Sequence, residues 1–145
     1  MGLGPMLDHL TAIRSLEFPQ GSYVVIGGSG LAVRGIRESD DIDMVVTPKL
    51  FKELQDKGWP IDEPFKQKWN RLRLKREPFE IFTDIYLERN RQFIPADQLI
   101  KSSELIEGIP FLSLRDLLFY KTDNPRPKDV ADIALIADYL RSNQV

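Results

Sequence analysis

Tyr23–Val46, YVVIGGSGLAVRGIRESDDIDMVV, is the stretch whose reading decides the fold. Tyr23-Val24-Val25-Ile26 is too short and too β-branched for anything but a buried strand. The run breaks at Gly27-Gly28-Ser29-Gly30 and resumes at Leu31-Ala32-Val33 as a short helix that Gly35 ends or weakens. A polar loop, Arg37-Glu38-Ser39-Asp40, leads to Asp41-Ile42-Asp43 at the head of a second apolar run, Met44-Val45-Val46. The pattern predicts strand, glycine turn, helix and strand, a unit able to hold a phosphate on backbone amides beside a metal on carboxylates.

The two halves of that unit differ in specificity. Gly27 and Gly28 let backbone approach a ligand and Ser29 adds a hydroxyl, but glycines between strand and helix equally serve tight packing. No Gly-Lys-Ser/Thr follows, so the turn is not a P-loop, and GGSG lacks the third glycine of the dinucleotide fingerprint. Asp41 and Asp43 say more. Two apart on a strand, they project to one face while Ile42 enters the core. Like charges so close repel unless a cation lies between them, and hard oxygen ligands suit Mg²⁺ or Mn²⁺. The competing reading is a solvated strand end, although Asp is disfavoured in strands. A third carboxylate would complete such a site. Glu80, between Phe79 and Ile81, is the choice, with Asp84 the alternative; either acid could instead pair with Arg71 or Arg73 across a hairpin.

Working outward, apolar residues at Leu7, Leu10, Ile13 and Leu16 predict a short first helix. Thr47-Pro48 caps and starts another, with Leu50, Phe51 and Leu54 inward and Gly58 at its end. Trp59 to Phe65 reads as irregular or edge strand. Lys66–Arg76 carries six cations and no acid, and from Asn70 it alternates Leu72 and Leu74 with Arg71, Arg73 and Lys75, predicting a strand with a basic outer face. Such a face with Trp69 would suit single-stranded nucleic acid, a triphosphate, or plain solvation. Phe79–Tyr86 reads as its antiparallel partner. Ala96–Leu99 is a short helical piece, Ile106–Phe111 a small hairpin or turn, and Ser113 caps a helix running to Lys121. Lys128–Arg141 is the clearest helix, with Val130, Ile133, Ala134, Ala137 and Leu140 along one face and Lys128, Asp129 and Asp132 at an exposed start.

At 145 residues the chain is expected to form one domain, 1–145, with a core over about 20–90 and a helical part over about 96–145. The expected class is α+β: a mixed sheet of about four or five strands, helices on one side and a C-terminal helical tail. With no cysteine, thiolate chemistry is excluded, and the single histidine, His9, reads as a surface residue of the first helix. A net charge of −2 gives no global field for nucleic acid or membrane. No apolar run reaches the ~20 residues of a membrane span, and the first residues lack a signal peptide's basic flank and long apolar core, so a cytoplasmic location is expected.

Gly27-Gly28-Ser29 followed by Arg37-x-Ser39-x-Asp41-Ile42-Asp43 resembles the nucleotidyltransferase superfamily related to DNA polymerase β. The likeness is to the small branch of minimal nucleotidyltransferases and abortive-infection, AbiE-type toxins. Ile109-Pro110, Ser113-Leu114-x-Asp116-Leu117, Lys121 and Arg126-x-Lys128-Asp129-x-x-Asp132-Ile133 resemble that branch too, so the likeness runs from about Tyr23 to Leu140. It implies transfer of a nucleoside monophosphate from an NTP such as ATP to a hydroxyl on a protein, a tRNA end or a small molecule. Gly27, Gly28, Ser29, Arg37 and Lys121 would bind the nucleotide. Asp41, Asp43 and Glu80 would be the catalytic and metal-binding acids, with Glu where the family more often has Asp. A protein partner, as in toxin–antitoxin pairs, is implied as well. The alternative is a catalytically inactive nucleotide- or partner-binding module on the same fold.

Overall fold

The computed structural model describes residues 7–143. The residues before Leu7, read above for a signal peptide, lie outside them. The Tyr23–Val46 unit is present as expected: strand β1 (Tyr23–Ile26), helix α2 (Ser29–Val33) and strand β2 (Ile42–Val46), preceded by helix α1 (His9–Ser15). Gly35, at φ +74°, ends the passage out of α2. Thr47 caps α3 (Pro48–Asp56) by accepting from the Leu50 amide at 3.3 Å.

The next segment departs from expectation. Lys66–Trp69 belongs to a helix, α4 (Glu63–Trp69), and not to an irregular stretch or basic strand. Asp62 caps it by accepting from the Phe65 amide at 3.2 Å, and Asn70, left-handed at φ 53°, ends it. The strand is only β3 (Leu74–Arg76), because Leu72 is 45% exposed and Arg71 and Arg73 turn to acids elsewhere. Its partner is likewise shorter. β4 (Phe79–Phe82) stops at Thr83, and β5 (Asp84–Leu87) leaves to pair with β6 (Gln92–Pro95) in a separate two-stranded sheet.

Helix α5 (Ala96–Lys101), the hairpin β7 (Glu104–Ile106) and β8 (Ile109–Phe111), α6 (Leu114–Lys121) and α7 (Pro127–Ser142) complete the described residues. The main sheet has six strands in the order β3-β4-β2-β1-β8-β7. β1 runs antiparallel to β2 and parallel to β8, while β2 runs parallel to β4. The architecture is α+β with a C-terminal helical tail, with one or two strands more than the sequence suggested.

Helices cover both faces of this sheet, where one covered side was expected. Ile42, Met44, Val46, Leu74, Phe79 and Ile81 pack with Ile13 of α1 and with Leu50, Phe51 and Leu54 of α3. Val24 and Val45 point the other way, onto Leu31, Leu99, Leu117 and Ile136 of α2, α5, α6 and α7. Strand alternation therefore sends Asp43 and Glu80 to the second face. α7 also buries a stripe other than the one its apolar residues predicted. Asp129, Asp132 and Ile136 face inward, and Val130 is 60% exposed.

Candidate functional site

Strand register decides which acids meet. Parallel pairing sets Asp43 of β2 directly beside Glu80 of β4, and antiparallel pairing sets Ile26 of β1 on its other side. The Glu80 carboxyl lies within hydrogen-bonding reach of Asp43. Burial first, then that contact and the negative charges of Glu80 and Asp41, push the Asp43 carboxyl up to about 7, against a smaller lowering effect of Arg73. Asp43 Oδ1 is buried with no hydrogen-bond partner among the described residues. Native folds rarely leave such an atom orphaned without a reason.

Gly27 closes this pocket from above. At φ +70° it adopts a left-handed conformation, and a Cβ there would stand 2.7 Å from Asp43 Oδ2. Only glycine fits both constraints. Arg73 closes it from the side, reaching Glu80 Oε2 with Nη1 at 3.3 Å and Asp62 Oδ2 with Nε at 3.0 Å. The buried acid Asp62 thus orients the arginine that touches Glu80. Asp84, the alternative third acid, is elsewhere: it pairs with Arg71.

These groups lie in a cleft of about 960 Å³ whose wall includes Gly27, Asp41, Asp43, Arg73, Glu80 and Lys121. That is the upper end of the size range for small-molecule sites. Asp41 is exposed at the mouth, just ahead of β2. Among the described residues, no group of three or more acidic or histidine side chains stands in an arrangement that encloses a metal ion. The donor set still suits a hard divalent cation, with an unpartnered carboxylate oxygen, a second carboxyl beside it and a third charge at the mouth.

The expected nucleotide-binding residues divide. Gly27 and Lys121 line the cleft. Ser29 does not: it is fully buried, its hydroxyl 2.8 Å from His9 Nδ1 and 3.3 Å from the Asp41 carbonyl, so only its backbone remains for a ligand. Gly28 is packed beneath Ser39 and Arg37. Arg37 also turns away from the cleft, donating to Asp132 from Nε at 2.6 Å and from Nη2 at 2.8 Å. Lys121 Nζ stands 3.0 Å from Asp132 Oδ2 and 3.5 Å from Asp129 Oδ1.

Asp129 and Asp132 are therefore not at an exposed helix start. They are 6% and 3% exposed and form the centre of a cluster with Arg37, Lys121 and Arg126. The Arg37 hydrogen bonds hold the Asp132 carboxyl down to about 2 despite its burial, with Lys121 adding to the effect. Burial raises Asp129, but Arg126 and Lys121 outweigh it and leave it below the usual carboxylate range. The sequence signal was the spacing: positions 129, 132 and 136 share a helix face. Nor is His9 a surface residue. It is 4% exposed, held by Ser29 and by the Ser39 carbonyl.

No protein-family model matches this chain, and no curated protein matches it either.

Proposed function

We propose that this chain transfers a nucleoside monophosphate from a nucleoside triphosphate to a hydroxyl acceptor, in the cytoplasm, with Mg²⁺ or Mn²⁺ as cofactor. The observation carrying the proposal is the buried Asp43–Glu80 pair, with its orphaned Oδ1, at the floor of a nucleotide-sized cleft. Asp43 and Glu80 would hold the cation, with Asp41 completing the charge from the mouth. A divalent ion there would polarise the phosphate oxygens and lower the barrier to attack by the hydroxyl. In the transfer, the acceptor oxygen bonds to the α-phosphorus as the bond to pyrophosphate breaks. Glu80, on the cleft wall next to Asp43, is placed to take the hydroxyl proton.

The chain's own groups handle the rest of the charge. Lys121, on the cleft wall and held in place by Asp129 and Asp132, is positioned to donate a hydrogen bond to the departing phosphates. Gly27 lets the triphosphate approach the carboxylates through backbone. The acceptor is a protein side chain, a tRNA end or a small molecule, brought by a partner protein.

One observation favours a second reading, a binding module without turnover. Arg73 already donates to Glu80, so an internal cation partly neutralises the site. Incubating the chain with each α-labelled NTP, Mg²⁺ or Mn²⁺ and a cell lysate separates the two. Label on protein or RNA that disappears with Asp43→Ala supports transfer. NTP and Mn²⁺ binding with no label under any condition supports the module, and neither binding nor label overturns both.

A further inference from the structure

His9 sits on α1, outside the set of residues lining the cleft. Yet its buried ring bridges two segments of that site. Nδ1 is 2.8 Å from Ser29 Oγ, in the glycine turn, and Nε2 is 2.9 Å from the carbonyl of Ser39, in the loop entering β2. A carbonyl only accepts, so Nε2 carries a hydrogen, and in the neutral ring Nδ1 accepts from the Ser29 hydroxyl. Ser29 and Ser39 each also place Oγ 3.3 Å from the Asp41 carbonyl. Ser29 has one hydroxyl hydrogen. While it serves Nδ1, Ser39 is left to satisfy Asp41.

The arrangement joins the segments that bracket Asp43. Gly27 stands over its carboxylate, and Asp41 lies two residues before it, just ahead of β2. α1 is fixed independently of the ring: Ile13 is 2% exposed in the core, and Arg14 donates to the Glu107 carbonyl at 3.1 Å. The imidazole is thus presented from a helix with core and surface contacts of its own.

We infer that His9 is a positioning residue, clamping the glycine turn against the carboxylate loop and setting the spacing between Gly27 and the acids Asp41 and Asp43. The inference rests on the metal-site reading above. Its residue touches no reacting atom and acts only through Ser29 and Ser39.

The test compares the full chain as wild type, His9→Leu and His9→Gln. Leucine fills similar volume without hydrogen bonds, whereas glutamine keeps a donor for the Ser39 carbonyl. In native-state hydrogen exchange, His9→Leu should lose protection about tenfold or more at residues 28–31 and 39–42, the equivalent of one buried hydrogen bond. β7, β8 and α7 should keep theirs. Mn²⁺ binding, read by electron paramagnetic resonance, should weaken by a similar factor, and His9→Gln should recover part of both. A residue that only fills space predicts the reverse order, leucine tolerated and glutamine not. Unchanged protection in His9→Leu, or loss spread evenly over the whole sheet, would overturn the clamp. If wild type binds no Mn²⁺ and transfers nothing, the proposed function fails, and the exchange pattern alone still decides the clamp.

Discussion

Two charged clusters lie within the same half of this molecule and obey opposite rules. Behind the glycine turn, Asp132 and Asp129 are buried against Arg37, Lys121 and Arg126, so every carboxylate has a cation. At the cleft floor, Asp43 and Glu80 are set side by side with Asp41 nearby, and one Asp43 oxygen has no partner among the described residues. The first cluster depresses its acids; the second raises Asp43. A fold that matched charges so fully in one place had the means to do so in the other. On the function proposed above, the balanced cluster is architecture and the other, where Arg73 reaches only Glu80, is the proposed cation site.

The strongest way to break this contrast is to remove one acid from each side. Asp43→Ala should reduce metal-dependent transfer to the uncatalysed background while the chain stays folded, as read by labelled-nucleotide assay and circular dichroism. Transfer at the wild-type rate would sink the assignment. Asp132→Ala should do the opposite kind of damage. It leaves Arg37, partly exposed, without its carboxylate and Lys121 with Asp129 alone, an effect of about 1–3 kcal/mol in denaturant unfolding. A loss under about 1 kcal/mol would show that solvent already screens the cluster.

The two clusters should also respond to pH with opposite sign. For Asp43 the folded value, about 7, lies above the unfolded value near 3.8. Between those limits the folded chain binds a proton that the unfolded chain has released, so stability falls as pH rises from about 4 to about 7, by a few kcal/mol in total. For Asp132 the folded value is about 2, so its contribution is complete above the unfolded value and is lost only as pH falls through that range. Unfolding free energy measured without divalent ions should therefore decline toward neutral pH, and Asp43→Asn should flatten that decline. An unchanged slope in Asp43→Asn would remove Asp43 as its source.

Gly27→Ala tests the roof of the acidic site. The left-handed φ alone costs about 1–2 kcal/mol for a residue with a Cβ. The added methyl also meets Asp43 Oδ2, so Mn²⁺ affinity should fall along with stability. Affinity retained at wild-type strength would show that Asp43 can move aside.

What could be read from the sequence was what local spacing determines. β1, β2 and the caps at Thr47 and Ser113 follow from runs and offsets of three or four residues. The shared face of Asp43 and Glu80 follows from the period of two. Two kinds of feature were hidden. Helix α4 depends on Asp62, whose capping role looked no different from a loop acid, and the neighbouring Leu–Arg alternation imitated a strand. His9 with Ser29 and Ser39, and Arg37 with Asp132, join residues 20, 30 and 95 positions apart, where spacing carries no signal. The buried acids of α7 are hidden because apolar residues mark a helix's inner face, and Arg37, the cation paired with Asp132, is distant in sequence.

The smallest expected effect decides between the two acids proposed as the third carboxylate. Asp84 and Arg71 are each 27% exposed in their side chains, so their pair is partly screened, and Asp84→Ala should cost about 0–1 kcal/mol. Glu80 is paired in register with Asp43, whereas Asp84 belongs to the separate β5–β6 sheet. Asp84→Ala should therefore leave transfer and Mn²⁺ affinity at wild-type values, and Glu80→Gln should lose both. If Asp84→Ala were the variant that lost metal binding, the site would have to be rebuilt around the Arg71 side of the cleft. The contrast between a matched and an unmatched cluster would then no longer locate the chemistry.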